Sequence, residues 1–244
     1  MDISYIINEL GEDRSNYYNS VAPPIMQTSI FCFGSVASMR ESIDKESEIP
    51  FYTRGSNPTI NILRKKMAAL EGAEDALIFA SGSAAVAAAV ISNLESGDHV
   101  VCVNKPYSWT GKLLNNFLSR FGINTTMVDG TDPLNYQNAI KPQTRILYLE
   151  SPNSITFELQ DIEAVVKIAK KHQLVTILDN SYATPLHQTP IKMGVDIVVH
   201  SASKYLGGHS DIVAGVLCGN KKMIEKIFVS ELMTLGGIIS PFNA

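Results

Sequence analysis

The chain has 244 residues, 45% hydrophobic and 18% charged, enough apolar material to bury a substantial core in one large domain or two smaller ones. Its formal net charge of -4, with no concentrated basic run, argues against nucleic acid as a partner, and no apolar run reaches membrane-spanning length. Residues 1–13 are acidic and lack a signal-peptide layout, and the three cysteines (Cys32, Cys102, Cys218) show neither disulfide nor metal-ligand spacing, so they read as buried thiols of a cytoplasmic protein.

Residues 1–50 are weakly periodic, with a turn at Pro23-Pro24 and a charged tract from Arg40 to Glu48. They read as an extended amino-terminal arm with short helical pieces, ahead of a main domain over residues 51–244. Residues 51–59 form a loop in which Asn57 or Thr59 can cap a helix over 60–70, and Gly72 ends it. From there strands and helices alternate. Strands are expected over 76–79, 99–103, 125–128, 145–149, 175–178, 197–199 and 213–218. Helices are expected over 84–94, 110–121, 134–140, 162–172 and 222–235. This alternation predicts an α/β fold, a mostly parallel sheet with helices on both faces.

The stretch from Asp196 to Gly215 carries the strongest chemical signal. A β-branched run, Ile197 to Val199, is followed by two hydroxyls, Ser201 and Ser203, then by Lys204 and the pair Gly207-Gly208. A lysine just past the carboxyl end of a buried strand sits where α/β folds place ligands, and a partly desolvated amine there is a usable Schiff-base nucleophile. A surface lysine opening a helix is the bland alternative. Ser201 and Lys204 also fit S-x-x-K, but the S-D-N and K-T-G elements that accompany that serine acylase motif are absent.

Three features accompany Lys204. Ala80-Ser81-Gly82-Ser83 joins a strand to a small-residue helix, where free backbone amides suit a phosphate but match neither G-x-x-x-x-G-K-S/T nor G-x-G-x-x-G. Asp179 closes an apolar strand and can pair with a cationic ring nitrogen, hold a metal, or serve as a cap or turn aspartate. Tyr107 follows another strand and can place its ring in the same crevice or pack at an edge. An anion cradle, a strand-end acid, an aromatic plate and a nucleophilic lysine together match pyridoxal phosphate.

These residues lie in motifs that resemble the transsulfuration, or Cys/Met metabolism, family of fold-type-I pyridoxal-phosphate enzymes. The motifs are Tyr52-Thr53-Arg54-Gly55-Ser56-Asn57-Pro58-Thr59, Leu70-Glu71-Gly72-Ala73-Glu74, Ala80-Ser81-Gly82 and Ser201-Ala202-Ser203-Lys204-Tyr205. The resemblance implies that Lys204 carries the cofactor covalently, Asp179 pairs with the ring nitrogen, and Tyr107 stacks on the ring and handles protons. It implies that Gly82, Ser83, Ser201 and Ser203 hold the phosphate, joined by Tyr52 and Arg54 from a neighbouring subunit. It further implies shared active sites in a homodimer, commonly a tetramer, and a small carboxyl-terminal domain beyond Ser240-Pro241-Phe242 that this sequence lacks; a catalytically silent fragment is the corresponding alternative.

Two departures narrow the subgroup. Ser154 stands where much of the family has the asparagine of E-x-P-x-N-P, with Asn153 beside it as the alternative contact, and Ser108-Trp109-Thr110 replaces Gly-Gly-Thr. Ser154-Ile155-Thr156 and Gly208-His209-Ser210-Asp211 look most like cystathionine β-lyases, implying β-elimination of cystathionine to homocysteine, pyruvate and ammonia. The family's γ-synthases, γ-lyases and sulfhydrylases are the alternatives. His209 and Asp211 read as structural, holding the loop behind Lys204.

Overall fold

The strand segments are short, apolar and rich in β-branched residues, so they bury both faces once helices close over them. The computed structural model describes all 244 residues. Its strands are β1 (Asp75–Phe79), β2 (His99–Val103), β3 (Asn124–Val128), β4 (Thr144–Glu150), β5 (Val175–Asp179), β6 (Ile197–Ser201) and β7 (Gly215–Gly219). They form one seven-stranded sheet in the order β1-β7-β6-β5-β4-β2-β3. It is parallel except for β7, which pairs antiparallel with both β1 and β6. Every expected strand is present within two residues of its expected bounds.

The helices are α1 (Ile3–Asn8), α2 (Val36–Ser42), α3 (Pro58–Glu71), α4 (Gly82–Ile91), α5 (Ser108–Lys112), α6 (Pro133–Ala139), α7 (Ile162–Lys171), α8 (Thr184–His187), α9 (Lys221–Ile227) and α10 (Met233–Leu235). Asn57 is the cap of α3, its Oδ1 accepting from Thr59 N at 3.0 Å. Two expected helices are interrupted. A π turn over Leu113–Phe117 and a 3-10 turn over Leu118–Phe121 follow α5, and a second π turn, Phe228–Leu232, separates α9 from α10. Gly111, Asn115 and Asn116 are poor helix formers, which leaves the first of these segments free to change pitch. The short helix α8 carries too few residues to show a periodicity.

Helix α3 sets Met67 and Ala68 against Ala76, Ile78, Val216 and Cys218 on one face of the sheet. On the other face α4, largely apolar and half alanine, packs with Leu77, Phe79 and Leu217, its small side chains permitting a close approach. Residues 1–50 contribute only Ile6 and Ser42 to the buried set. Cys102 and Cys218 are buried in β2 and β7, but Cys32 is exposed, contrary to the expectation for all three: it lies in the arm, outside any strand. No helix is long and apolar enough to cross a membrane.

The topology aligns the ends that matter. Glu150, Asp179 and Ser201 terminate β4, β5 and β6, and Ser201 pairs with Gly215, which pairs in turn with Phe79 at the end of β1. Segments leaving this carboxyl edge therefore converge on one crevice.

Candidate cofactor site

The crevice is a cavity of about 1350 Å³. Ser81, Gly82, Ser83, Tyr107, Asp179, Ser201, Ser203 and Lys204 all line it, so sheet topology joins positions up to 123 residues apart (81 to 204). Tyr52 and Arg54 do not. They lie on an exposed loop, with the Arg54 guanidinium 5.2 Å from the centre of the Tyr52 ring. Folding of one chain does not bring this pair to the crevice.

One end of the cavity gathers backbone amides and hydroxyls. Ser81 is the cap of α4 and its Oγ accepts from Ala84 N at 3.2 Å, while Ala85 N makes the first intrahelical bond, to Ser81 O. The amides of Gly82 and Ser83 precede that bond and have no helical partner. A side chain at Gly82 would place its Cβ 2.7 Å from Ser201 Cβ and 2.8 Å from Ser201 Cα, so only glycine lets the helix start sit this close to β6. Ser201 Oγ accepts from Lys204 Nζ at 3.1 Å. The Ser203 hydroxyl is already engaged in a reciprocal pair with Ala214, accepting from its N–H at 2.9 Å and donating to its carbonyl at 3.2 Å.

At the other end Lys204 Nζ lies 5.1 Å from the centre of the Tyr107 ring. Tyr107 is held from behind by Glu150, whose Oε2 accepts Tyr107 N at 2.8 Å and whose Oε1 accepts Ser154 N at 2.7 Å. Burial, and secondarily the charge of Asp179 on the adjacent strand, raise the Glu150 carboxyl above its ordinary 4.5. Asp179 does form the turn that its sequence context allows, Oδ1 accepting from Ser181 N at 2.9 Å and from Ser181 Oγ at 2.5 Å. Its Oδ2 takes no hydrogen bond from the protein, so the turn role leaves one carboxylate oxygen for a ligand. Ser181 Oγ also accepts from Ser201 N at 2.7 Å, tying the acid to the anion cradle.

Ser181 and Glu150 were not singled out by sequence reasoning as site residues. The signal for Ser181 was its place two residues after Asp179 in a turn, and that for Glu150 its position closing β4. Trp109, with Lys112 Nζ 4.2 Å from its ring centre, and the edge-to-face pair Tyr182–Tyr205 complete the wall; Trp109 and Tyr205 lie in motifs the sequence already marks, whereas Tyr182 carries no local signal. Two smaller expectations fail. Asn153 is fully buried and committed, donating to Asn104 O and Lys105 O and accepting from Ile155 N and Thr156 N, so it is unavailable to a ligand; Ser154 lines the cavity instead. His209 and Asp211 are exposed and make no side-chain hydrogen bond, because the turn around Gly208 (φ 76°) is held by backbone bonds such as Gly208 N to Tyr205 O.

The donor set fits pyridoxal phosphate: free helix amides and hydroxyls for a phosphate, an unpartnered carboxylate oxygen for a protonated ring nitrogen, an aromatic plate and a primary amine. Comparison with known proteins agrees. The family described as Cys/Met metabolism pyridoxal-phosphate-dependent enzyme matches residues 5–244. An L-methionine gamma-lyase from Treponema denticola is 42% identical over 94% of this chain and 58% of its own length. A cystathionine beta-lyase from Staphylococcus haemolyticus is 41% identical over 86% of this chain and 52% of its own. The crystal structure of metB from Corynebacterium glutamicum superposes on all of this chain with a TM-score of 0.92 at 33% identity, over 61% of that chain. The chain thus spans a little over half the length of these relatives. With the family matched across nearly the whole sequence, the chain belongs to the Cys/Met metabolism family of pyridoxal-phosphate-dependent enzymes.

Proposed function

We propose that the protein is a carbon–sulfur lyase acting on a sulfur-containing amino acid. The observation that carries this reading is the position of Lys204 Nζ, between the Ser201 hydroxyl of the anion cradle and the Tyr107 ring. Lys204 would hold the cofactor aldehyde, Asp179 Oδ2 its ring nitrogen, and Gly82, Ser83 and Ser201 its phosphate, with Ser203 contributing if its bonds to Ala214 open. Bound there, pyridoxal phosphate supplies an electron sink for the pair left when a Cα proton is removed.

Lys204 would be the base for that proton, its amine lying 5.1 Å from the centre of the Tyr107 plate. Asp179 keeps the ring-nitrogen proton in place. Tyr107 is fixed at its backbone by Glu150, so its ring forms a rigid wall and its hydroxyl can return a proton to the departing sulfur. Tyr52 and Arg54, exposed and remote from this chain's own cavity, suit a contribution to the site of a second copy, in which case the functional unit is at least a dimer.

Two eliminations share these steps. The Ser154-Ile155-Thr156 motif supports β-elimination of cystathionine, which with water yields homocysteine, pyruvate and ammonia. The relatives named methionine gamma-lyase support γ-elimination of methionine, which yields methanethiol, 2-oxobutyrate and ammonia after a further proton removal at Cβ. The test is borohydride reduction of the cofactor-loaded protein with peptide mapping, followed by product analysis with both substrates. A pyridoxyl group on Lys204 and a 2-oxo acid with release of thiol are expected. Attachment elsewhere, or no 2-oxo acid from either substrate, refutes the reading.

A further inference from the structure

A chain of buried and half-buried polar groups runs beside the cavity, and none of its members lines it. His200 Nε2 lies 2.6 Å from Glu71 Oε1, both side chains having no solvent exposure. The same oxygen accepts from Asn180 Nδ2 at 3.0 Å. Asn180 also exchanges two bonds with Gln188, donating to its carbonyl at 2.9 Å and accepting from its Nε2 at 2.9 Å, and Gln188 Nε2 donates to Ser151 O at 2.8 Å. Each strand-end member is adjacent in sequence to a cavity residue: His200 to Ser201, Asn180 to Asp179, Ser151 to Glu150. Because side chains alternate along a strand, Asp179 and Ser201 face the cavity while their neighbours Asn180 and His200 face the other side of the sheet.

Glu71 is the junction of this chain and is misplaced on local grounds. It is the last residue of α3, where a carboxylate opposes the helix dipole, and its Oε2 and His200 Nδ1 are buried without partners. Apolar groups of similar volume often serve a buried site of this kind as well as a polar pair does, so burial alone does not call for these two residue types. Glu71 Oε1 bridges His200 of β6 and Asn180 just past β5, the two segments in which Asp179 and Ser201 share Ser181.

We infer that Glu71 is a positioning residue for the cofactor site, acting through His200 and Asn180 to hold Ser201 and Asp179 in register. This rests on the proposed function for the identity of the ligand, but the positioning itself is testable in the cofactor-free protein. Amide hydrogen exchange is followed at Ser181 and Ser201 in the wild type and in Glu71→Leu/His200→Leu. In the double variant both amides are expected to exchange about tenfold faster while β4 amides keep their wild-type rates. Glu71→Gln, which preserves an acceptor for both partners, is expected to retain near-wild-type rates. Asn180→Ala, which removes only the β5 link, is expected to accelerate Ser181 more than Ser201, and it serves if the double variant does not fold. Unchanged rates at Ser181 and Ser201 overturn the inference, as does acceleration of all amides by one common factor, which would mark a general structural role. Pyridoxal phosphate binding by the same proteins is measured separately. A wild type that takes no cofactor refutes the proposed function, and the exchange pattern still decides the role of Glu71.

Discussion

Of all the glycines, Gly215 leaves the least room for a side chain, and adding one methyl group there is a sharp test of how the cavity is built. An alanine Cβ would fall 2.1 Å from Ser81 O, 2.5 Å from Ser81 C and 2.9 Å from Gly82 N. Comfortable separation between such atoms is about 3.5 Å, so the two segments must part by roughly 1 Å or more. Neither side yields easily. Gly215 is held in the ladder between Phe79 and Ser201, and the threatened Ser81 carbonyl accepts the first hydrogen bond of α4. Overpacking of this kind costs about 1–3 kcal/mol, and the backbone nature of every contact puts Gly215→Ala at the upper end. A loss of about 3 kcal/mol in a chain of this size lowers Tm by about 6–12 °C. Thermal unfolding followed by circular dichroism measures it, with Gly34→Ala, where nothing lies within 4 Å, as the control. The same displacement moves the Gly82 and Ser83 amides, so affinity for pyridoxal phosphate should fall with Tm. A Gly215→Ala protein that melts within about 2 °C of wild type would refute the close seating of α4 on β7.

His99, whose ring nitrogens lie 2.8 Å from the Thr126 and Thr144 hydroxyls, is held well below its ordinary 6.5, at about 4, by burial and then by Lys141. The folded state binds fewer protons there than the unfolded state, so this stability is complete above pH 6.5 and is lost as pH falls toward about 4. The urea-unfolding free-energy gap between wild type and His99→Gln should therefore shrink between pH 7 and pH 4.5; a constant gap contradicts the assignment. Thiol labelling gives an independent check on burial. Cys32 should react quickly in the native protein, while Cys102 and Cys218, buried and with thiol pKa values raised by that burial, should react only on unfolding. Two rapidly labelled thiols would show that one of the two strands is more open than described.

The sequence by itself determined the class of fold and the family. Apolar strand runs alternating with periodic helices left little choice but a largely parallel sheet, and hydrophobic burial at those positions is a local property of each segment. The type and order of Ser201, Ser203, Lys204, Asp179 and Gly82 likewise carried their chemical meaning. Folding decided the rest because it depends on contacts distant in the chain. The antiparallel insertion of β7 between β1 and β6 brings Gly215 against Ser81 and makes the anion cradle narrow. Burial raises the Glu150 carboxyl pKa, and the register of β4 with β5, which sets Glu150 beside Asp179, adds to it. The Glu71–His200 pair joins residues 129 apart in sequence, and no periodicity or spacing encodes such a meeting. Local patterns report what each segment buries. Which segments then touch is settled by the sheet order, and that order alone places Lys204, Tyr107 and Asp179 around one cavity.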